Sequence, residues 1–278
     1  MKFHGAVNMI GKGIYFFLVD RWYRYVTIKS LYLFSKPRNK SGSLRFLGKT
    51  LRFVDLPSCL FSIQEIFFDR IYQFKVDQND PVIVDVGSNI GISIIYFKTI
   101  FPESKIFCFE ADPKVFQVLE KNISSFDFRD VILFNKAAWT LDTSIGFNED
   151  GSDGGSIDES NSKNLIEAID FAKFLNSMER IHFLKIDIEG AEKFVFPHCR
   201  FYLKNILYIF VEYHSKPNEP QNIDLILSIF KEEGFRVQIN SVKNTRSPFI
   251  DKEKPEQFDL QLNIFAENIR MKNSVNKI

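Results

Sequence analysis

The chain has 278 residues, 45% of them hydrophobic, with 36 basic against 35 acidic side chains. That composition belongs to a globular protein large enough for one α/β domain plus an extension, and it excludes a disordered or fibrous chain. Charge is uneven: residues 1–50 hold ten Lys or Arg and the single acid Asp20, leaving 26 basic and 34 acidic residues downstream. The acidic body argues against a nucleic-acid substrate, while the basic head suits an anionic lipid surface or an acidic partner.

Residues 1–35 mix Phe, Tyr, Trp, Leu and Ile with Lys and Arg and read as one or two amphipathic helices, suited to peripheral contact with a membrane. The apolar run Ile14–Val19 is too short for a span, and no small-residue cleavage site follows it before Arg21, Trp22 and Tyr23. Residues 36–43 read as a linker, and LRFLGKTLRFVD, alternating about Gly48, as a hairpin. The domain division expected from this pattern is 1–50, a basic aromatic extension reaching the start of the hairpin, and 51–278, a catalytic domain. SIQEIFFDRIY (62–72) has apolar residues at helical spacing.

From Pro81 strands and helices alternate. VIVDVG, KIFCFE, VILFN, IHFLKID and ILYIFVEY are apolar strands; 91–101, 113–124, 164–177, 190–203 and 221–233 read as helices. Residues 146–163, rich in Gly, Ser, Asp and Asn, read as a mobile loop beside the ligand pocket. FRVQI and LQLNIFA follow without a clear helix between them, which implies an antiparallel edge on a mostly parallel sheet. The 31 phenylalanines imply a Phe-rich core. Cys59, Cys108 and Cys199 are too scattered for a disulfide framework or a zinc site and fit a reducing, cytoplasmic setting.

Four segments carry chemistry. DVGSNIG (Asp85–Gly91) joins a strand to a helix, and Gly87 and Gly91 permit a tight turn and close backbone approach to a ligand. Its spacing is not the dinucleotide pattern G-x-G-x-x-G. An acid at the strand end suits a ligand that carries an ammonium and a sulfonium. FEADP places Glu110 at the end of the next strand, where a doubly wound sheet sets the carboxylate that accepts ribose hydroxyls, while Asp112 is a helix cap. KIDIEGAE gathers Asp187, Glu189 and Glu192 at a strand end, as a proton acceptor or metal ligands, or as compensation of a helix dipole. VEYH sets Glu212 and His214 on one face at the end of the neighbouring strand, and a histidine there suits general-base work near neutral pH.

The ordered set VIVDVGSNIGISIIYF, FCFEADP, NKAAW, FLKIDIEGAE and VEYH resembles the FkbM family of methyltransferases over roughly residues 60–266. The resemblance implies a Rossmann-like class I methyltransferase fold with a seven-stranded, mostly parallel sheet and an antiparallel edge strand. It implies S-adenosyl-L-methionine as donor and O-methylation of a sugar, glycan or secondary-metabolite hydroxyl. Carried over by position, Asp85, Gly87, Ser88, Asn89 and Gly91 form the donor turn, with Ser88 where the family commonly has Ala. Glu110 is the ribose acid, and Ala111 stands where the family commonly has Pro. Ala137 and Ala138 are the small residues by the adenine. Asp187 and Glu189, with Glu212 and His214, form the expected reaction centre. A divalent metal on the acids is a second route to a more acidic acceptor hydroxyl. The rival readings are a binding or assembly module that keeps the fold without the activity, and a nucleotide-sugar or dinucleotide enzyme.

Overall fold

A computed structural model of the chain describes residues 38–148, 155–157, 164–242, 249 and 258–275. The basic aromatic segment 1–35 lies outside them, as do residues 149–154 and 158–163 of the Gly- and Ser-rich stretch.

β1 (Gly42–Phe46) and β2 (Lys49–Phe53) form the expected hairpin. Leu47 and Gly48 take φ of 47° and 79°, the positive values that a two-residue turn between twisted strands needs. Residues 50 and 51, where the sequence suggested a division, are consecutive in β2. Helix α1 (Leu56–Ile63) starts before the expected residue 62, because Asp55 caps it and Pro57 sits in its first turn. It runs on as a π-helix, Gln64–Phe68.

The αβ succession then follows: β3 (Val82–Val86), α2 (Ile92–Ile100), β4 (Lys105–Phe109), α3 (Pro113–Phe126) and β5 (Val131–Phe134). The next stretch departs from expectation. β6 (Ala137–Trp139), β7 (Thr143–Asn148), β8 (Ser156–Ile157) and β9 (Leu165–Asp170) build a second, four-stranded sheet. Residues 146–148 and 156–157 are therefore strand rather than loop. The helix expected over 164–177 is α4 (Phe171–Asn176) alone. LIEAID contains good helix formers, but Ile166, Ala168 and Asp170 alternate inward, and that period of two pairs β9 with β6 and β7. The chain continues through β10 (Ile181–Ile186), α5 (Glu192–His198), a 3₁₀ turn (Arg200–Asn205), β11 (Ile206–Ser215), α6 (Ile223–Glu232), β12 (Phe235–Ser241), β13 (Leu260–Asn268) and α7 (Ile269–Val275).

The main sheet has seven strands in the order β12-β13-β11-β10-β3-β4-β5. All pairs are parallel except those of β13, which inserts antiparallel between β11 and the edge strand β12. After β3 the chain moves outward to β5, then returns to place β10 on the other side of β3. That reversal opens a crevice above the carboxyl ends of β3 and β10, the place where such sheets bind ligands. Phenylalanines fill both sheet faces as expected. Tyr72, Phe74, Phe97, Phe183 and Phe210 interlock on one, with Tyr72 and Phe210 centroids 4.9 Å apart, and Phe109, Phe134, Phe171 and Phe174 on the other. The three cysteines are free and buried. Among the described residues no helix is long and apolar enough to cross a membrane.

A buried amide helps tie the hairpin to the domain, beside the Ser125 hydroxyl, which donates to the Thr50 carbonyl at 3.0 Å. Asn122, on α3, accepts from the Arg52 amide (2.8 Å) and donates to the Arg52 and Ile90 carbonyls (2.9 and 2.8 Å). Asn122→Ala would strand these backbone groups in the interior at a cost of about 1–3 kcal/mol. The expected result is a lower urea midpoint and earlier proteolytic cleavage in the hairpin; an unchanged midpoint would refute the tether.

Candidate active site

The glycine turn is built by close backbone contact. The Gly87 and Ser88 amides donate to the Phe109 carbonyl (both 2.9 Å), and Gly87 takes φ of 80°. A Cβ on Gly87 would lie 1.8 Å from the Asp187 carbonyl oxygen, so the turn after β3 and the turn after β10 touch main chain to main chain. Asn89 is left-handed at φ 48°, and its amide is directed onto Glu110 Oε2 at 2.8 Å. The Asp112 amide binds the other oxygen, Oε1, at 2.8 Å. Two amides thus hold the Glu110 carboxylate in one orientation. Burial nevertheless pushes its pKa up to about 7, against the opposing pull of those amides. Asp112 caps α3, as expected.

A cavity of about 300 Å³ opens at the crevice. Gly87, Ser88, Asn89, Glu110, Ala111, Ala137 and Ala138 line it, and so do Asp187, Glu189 and Glu212. The sequence-predicted donor and reaction residues therefore share one pocket, with exceptions. Asp85 is fully buried behind the wall, accepting from the Ser93 hydroxyl and lying 3.5 Å from Lys185 Nζ. Gly91 shapes the start of α2 without lining the cavity; a Cβ there would press on Leu119 Cδ1 at 2.7 Å. His214 also sits outside the lining, behind the acids.

Sequence reasoning missed two residues. Lys185, in β10, is buried and donates to the Gly87 carbonyl at 2.7 Å while pairing with Asp187 (3.3 Å) and Asp85. Burial opposes its charge, but Asp187, Asp85 and Glu212 together outweigh it and raise its pKa. Glu65, in the π-helix, faces the same cavity. Burial first and Asp187 second push its carboxyl up to about 7, although Asn263 donates to it at 3.4 Å. No local pattern marks Glu65. The only available signal is structural, since π-helical turns gather at functional sites.

His214 and its acids form a closed group. Its Nδ1 lies 3.2 Å from Glu192 Oε1, and Nε2 lies 3.7 Å from both Glu189 and Glu212. Glu192 is fully buried and takes the Ile188 and Gly190 amides at 2.8 and 2.9 Å. It therefore fixes the loop and the imidazole together. Burial works against charge on His214, but Glu192 and then Glu189 raise its pKa to about 10. These acids favour the protonated imidazole, where the sequence suggested a base near neutral pH. Glu189 is raised by burial, with His214 opposing. Glu212 is pushed up to about 8 by burial and then by Asp187.

A seven-stranded sheet of this order, with a glycine turn and an amide-held acid at its switch point, defines the Rossmann-like methyltransferase class. The chain belongs to the FkbM methyltransferase family, since the methyltransferase FkbM domain profile matches residues 85–237. It is 39% identical over 67 residues to methyltransferase sdnD of Sordaria araneosa, covering 24% of this chain and 26% of that protein. It is 25% identical to methyltransferase 1 of Beauveria bassiana, covering 48% and 64% of the two chains. It is 26% identical to the 2-O-methyltransferase NoeI of Sinorhizobium fredii, covering 51% and 66%. The matched part thus spans between a quarter and two thirds of these relatives' lengths. Among solved structures, methyltransferase FkbM from Methylobacillus flagellatus KT superposes with a TM-score of 0.46 at 16% identity, covering 71% of this chain and 46% of that one.

The site acids predict a pH dependence of stability. Glu65, Glu110 and Glu212 have folded pKa values above their ordinary 4.5, so their stabilising contribution is full below that pH and is lost as pH rises through about 7 to 8. His214 runs the same way, from 6.5 to about 10. The ligand-free protein should therefore melt progressively lower from pH 5 to pH 9. Glu65→Gln should raise the melting temperature at pH 8, by roughly 2–4 °C for each kcal/mol recovered, and change little at pH 5. Equal shifts at both pH values in scanning calorimetry would contradict this account.

Proposed function

We propose that the protein is an S-adenosylmethionine-dependent O-methyltransferase acting on a hydroxyl of a sugar, glycan or secondary metabolite. The observation that carries this reading is one cavity lined both by the glycine turn and Glu110 and by Asp187, Glu212 and Glu65. The residues fit the donor. Gly87 offers backbone without a side chain, Glu110 presents a fixed carboxylate to ribose hydroxyls, and Ala137, Ala138, Phe147 and Ile157 offer an apolar wall for a purine. Adenosylmethionine supplies a methyl group already activated on a sulfonium.

The chain's own residues then align and deprotonate. Asp187 and Glu212 accept hydrogen bonds from the acceptor's hydroxyls and hold one oxygen toward the donor end. Glu65, across the cavity, takes the proton as the oxygen–methyl bond forms and the methyl–sulfur bond breaks. The products are a methyl ether and adenosylhomocysteine. Alignment contributes several kcal/mol to such a step, and a placed base about 10²–10⁴-fold. The name of the NoeI relative supports oxygen as the atom methylated. The basic aromatic segment 1–35 suits an acceptor carried at an anionic membrane surface.

Two measurements test the reading. Glu110→Ala should weaken adenosylhomocysteine binding by about 1–3 kcal/mol in calorimetry. Glu65→Gln and Asp187→Asn should keep donor affinity but lower turnover by about 10²-fold or more. Near-normal turnover in both variants would remove the acid end from the chemistry. Donor binding without transfer to any hydroxyl acceptor would favour a binding module.

A further inference from the structure

Resting on that reading, we propose that Asp187 and Glu212 of the cavity wall and His214 behind them bind one divalent transition-metal ion, with Glu192 as the residue that positions the histidine. One carboxylate oxygen from Asp187, one from Glu212 and one ring nitrogen of His214 all lie within 4.8 Å of one another. Three donors at that spacing close around a cation with small rotamer adjustments.

The arrangement of His214 distinguishes this from an ordinary acidic patch. Its side chain is 99% buried, with the ring edge-bound on one side only: Nδ1 is anchored on Glu192, while Nε2 faces the carboxylates at 3.7 Å, beyond hydrogen-bonding distance. Metal-binding histidines characteristically give their second nitrogen to a carboxylate, which fixes the tautomer and orients the ring. Glu192 is itself held by the Ile188 and Gly190 amides, and Phe258 packs against the imidazole with centroids 4.6 Å apart. The imidazole is thus held by Glu192 at Nδ1 and by Phe258 against the ring, with Nε2 directed toward the acids.

A second observation points the same way. Asn263 is 6% exposed and pairs across the sheet with Glu212. Its Nδ2 reaches Glu65, but its Oδ1 is buried with no hydrogen-bond partner. A buried orphan acceptor on a residue that neighbours Glu65 and Glu212 calls for a donor or a cation. Lys185 pairs with Asp85 and Asp187 while His214 faces Glu212, so a bound cation would take the place of the His214 proton beside these carboxylates. Two oxygens and one nitrogen favour Mn²⁺, Fe²⁺, Co²⁺ or Zn²⁺ over Ca²⁺. An ion held by three protein ligands keeps open positions, where an acceptor hydroxyl would bind and become more acidic.

The test uses the full chain, stripped with a chelator and desalted, with Mn²⁺ as the probe. Paramagnetic resonance should show one Mn²⁺ bound per chain, with nitrogen coupling from an imidazole that disappears in His214→Gln. Asp187→Asn, a near-isosteric change at the cavity wall, should abolish binding without loss of fold. Glu192→Gln should weaken it about 10–100-fold, whereas a purely structural Glu192 would leave the affinity of the folded fraction unchanged. Adenosylhomocysteine calorimetry runs in parallel. Donor binding with no bound Mn²⁺, or Mn²⁺ binding indifferent to both Asp187→Asn and His214→Gln, overturns the cation site and leaves the methyltransferase reading intact. Mn²⁺ binding with the nitrogen coupling but no donor binding upholds the site and counts against that reading.

Discussion

The buried ammonium of Lys185 organises the crevice. β3 and β10 run side by side, with Lys185 directly opposite Asp85 in the ladder. A charge taken out of water is costly unless it is paired and hydrogen-bonded. Lys185 meets both conditions only because the Gly87 carbonyl, Asp85 and Asp187 all converge on its nitrogen. The same group therefore stabilises the glycine turn from beneath and sets the first acid of the opposite wall. Remove the lysine, and the buried Asp85 and the half-buried Asp187 lose the cation they share.

The acids beyond Lys185 work against folding. Glu65, Glu189 and Glu212 are desolvated beside one another, and Glu189 also occupies left-handed backbone at φ 56°, a conformation costing a non-glycine residue roughly 1–2 kcal/mol. Such a cluster persists only where the surroundings over-determine it. Here interlocked phenylalanines on both sheet faces supply the rigidity, and the crevice concentrates the strain where a ligand would relieve it.

Much of this was legible before any coordinates. VIVDVG and IHFLKID read as buried parallel strands because both their faces are covered, which leaves continuous apolar runs. DVGSNIG and FEADP lie close in sequence to the strands that present them, so their meeting at one pocket followed from topology alone. The errors have equally physical causes. LIEAID reads as helix because Leu, Glu and Ala have high helix propensity, whereas tertiary pairing with β6 and β7 makes it a strand. Glu65 was invisible because it reaches the site from a π-helix that precedes the motif-bearing domain pattern. His214 stands in the company its sequence position suggests, and the carboxylates that favour its charged form, Glu192 and Glu189, come from the segment after β10 rather than from its own strand.

The contact between Gly87 and Asp187 bears on how such a protein diverges. Because the two turns meet through main-chain atoms, with the Asp187 amide also bonded to the Val86 carbonyl at 3.1 Å, the span from donor turn to first acid is set by peptide geometry. No side-chain exchange can stretch it. The rest of the acceptor wall comes from separate elements: the π-helix, β13 and the residues flanking them. Descendants of this fold can thus rebuild that side of the cavity repeatedly while inheriting the spacing of Gly87 and Asp187 unchanged.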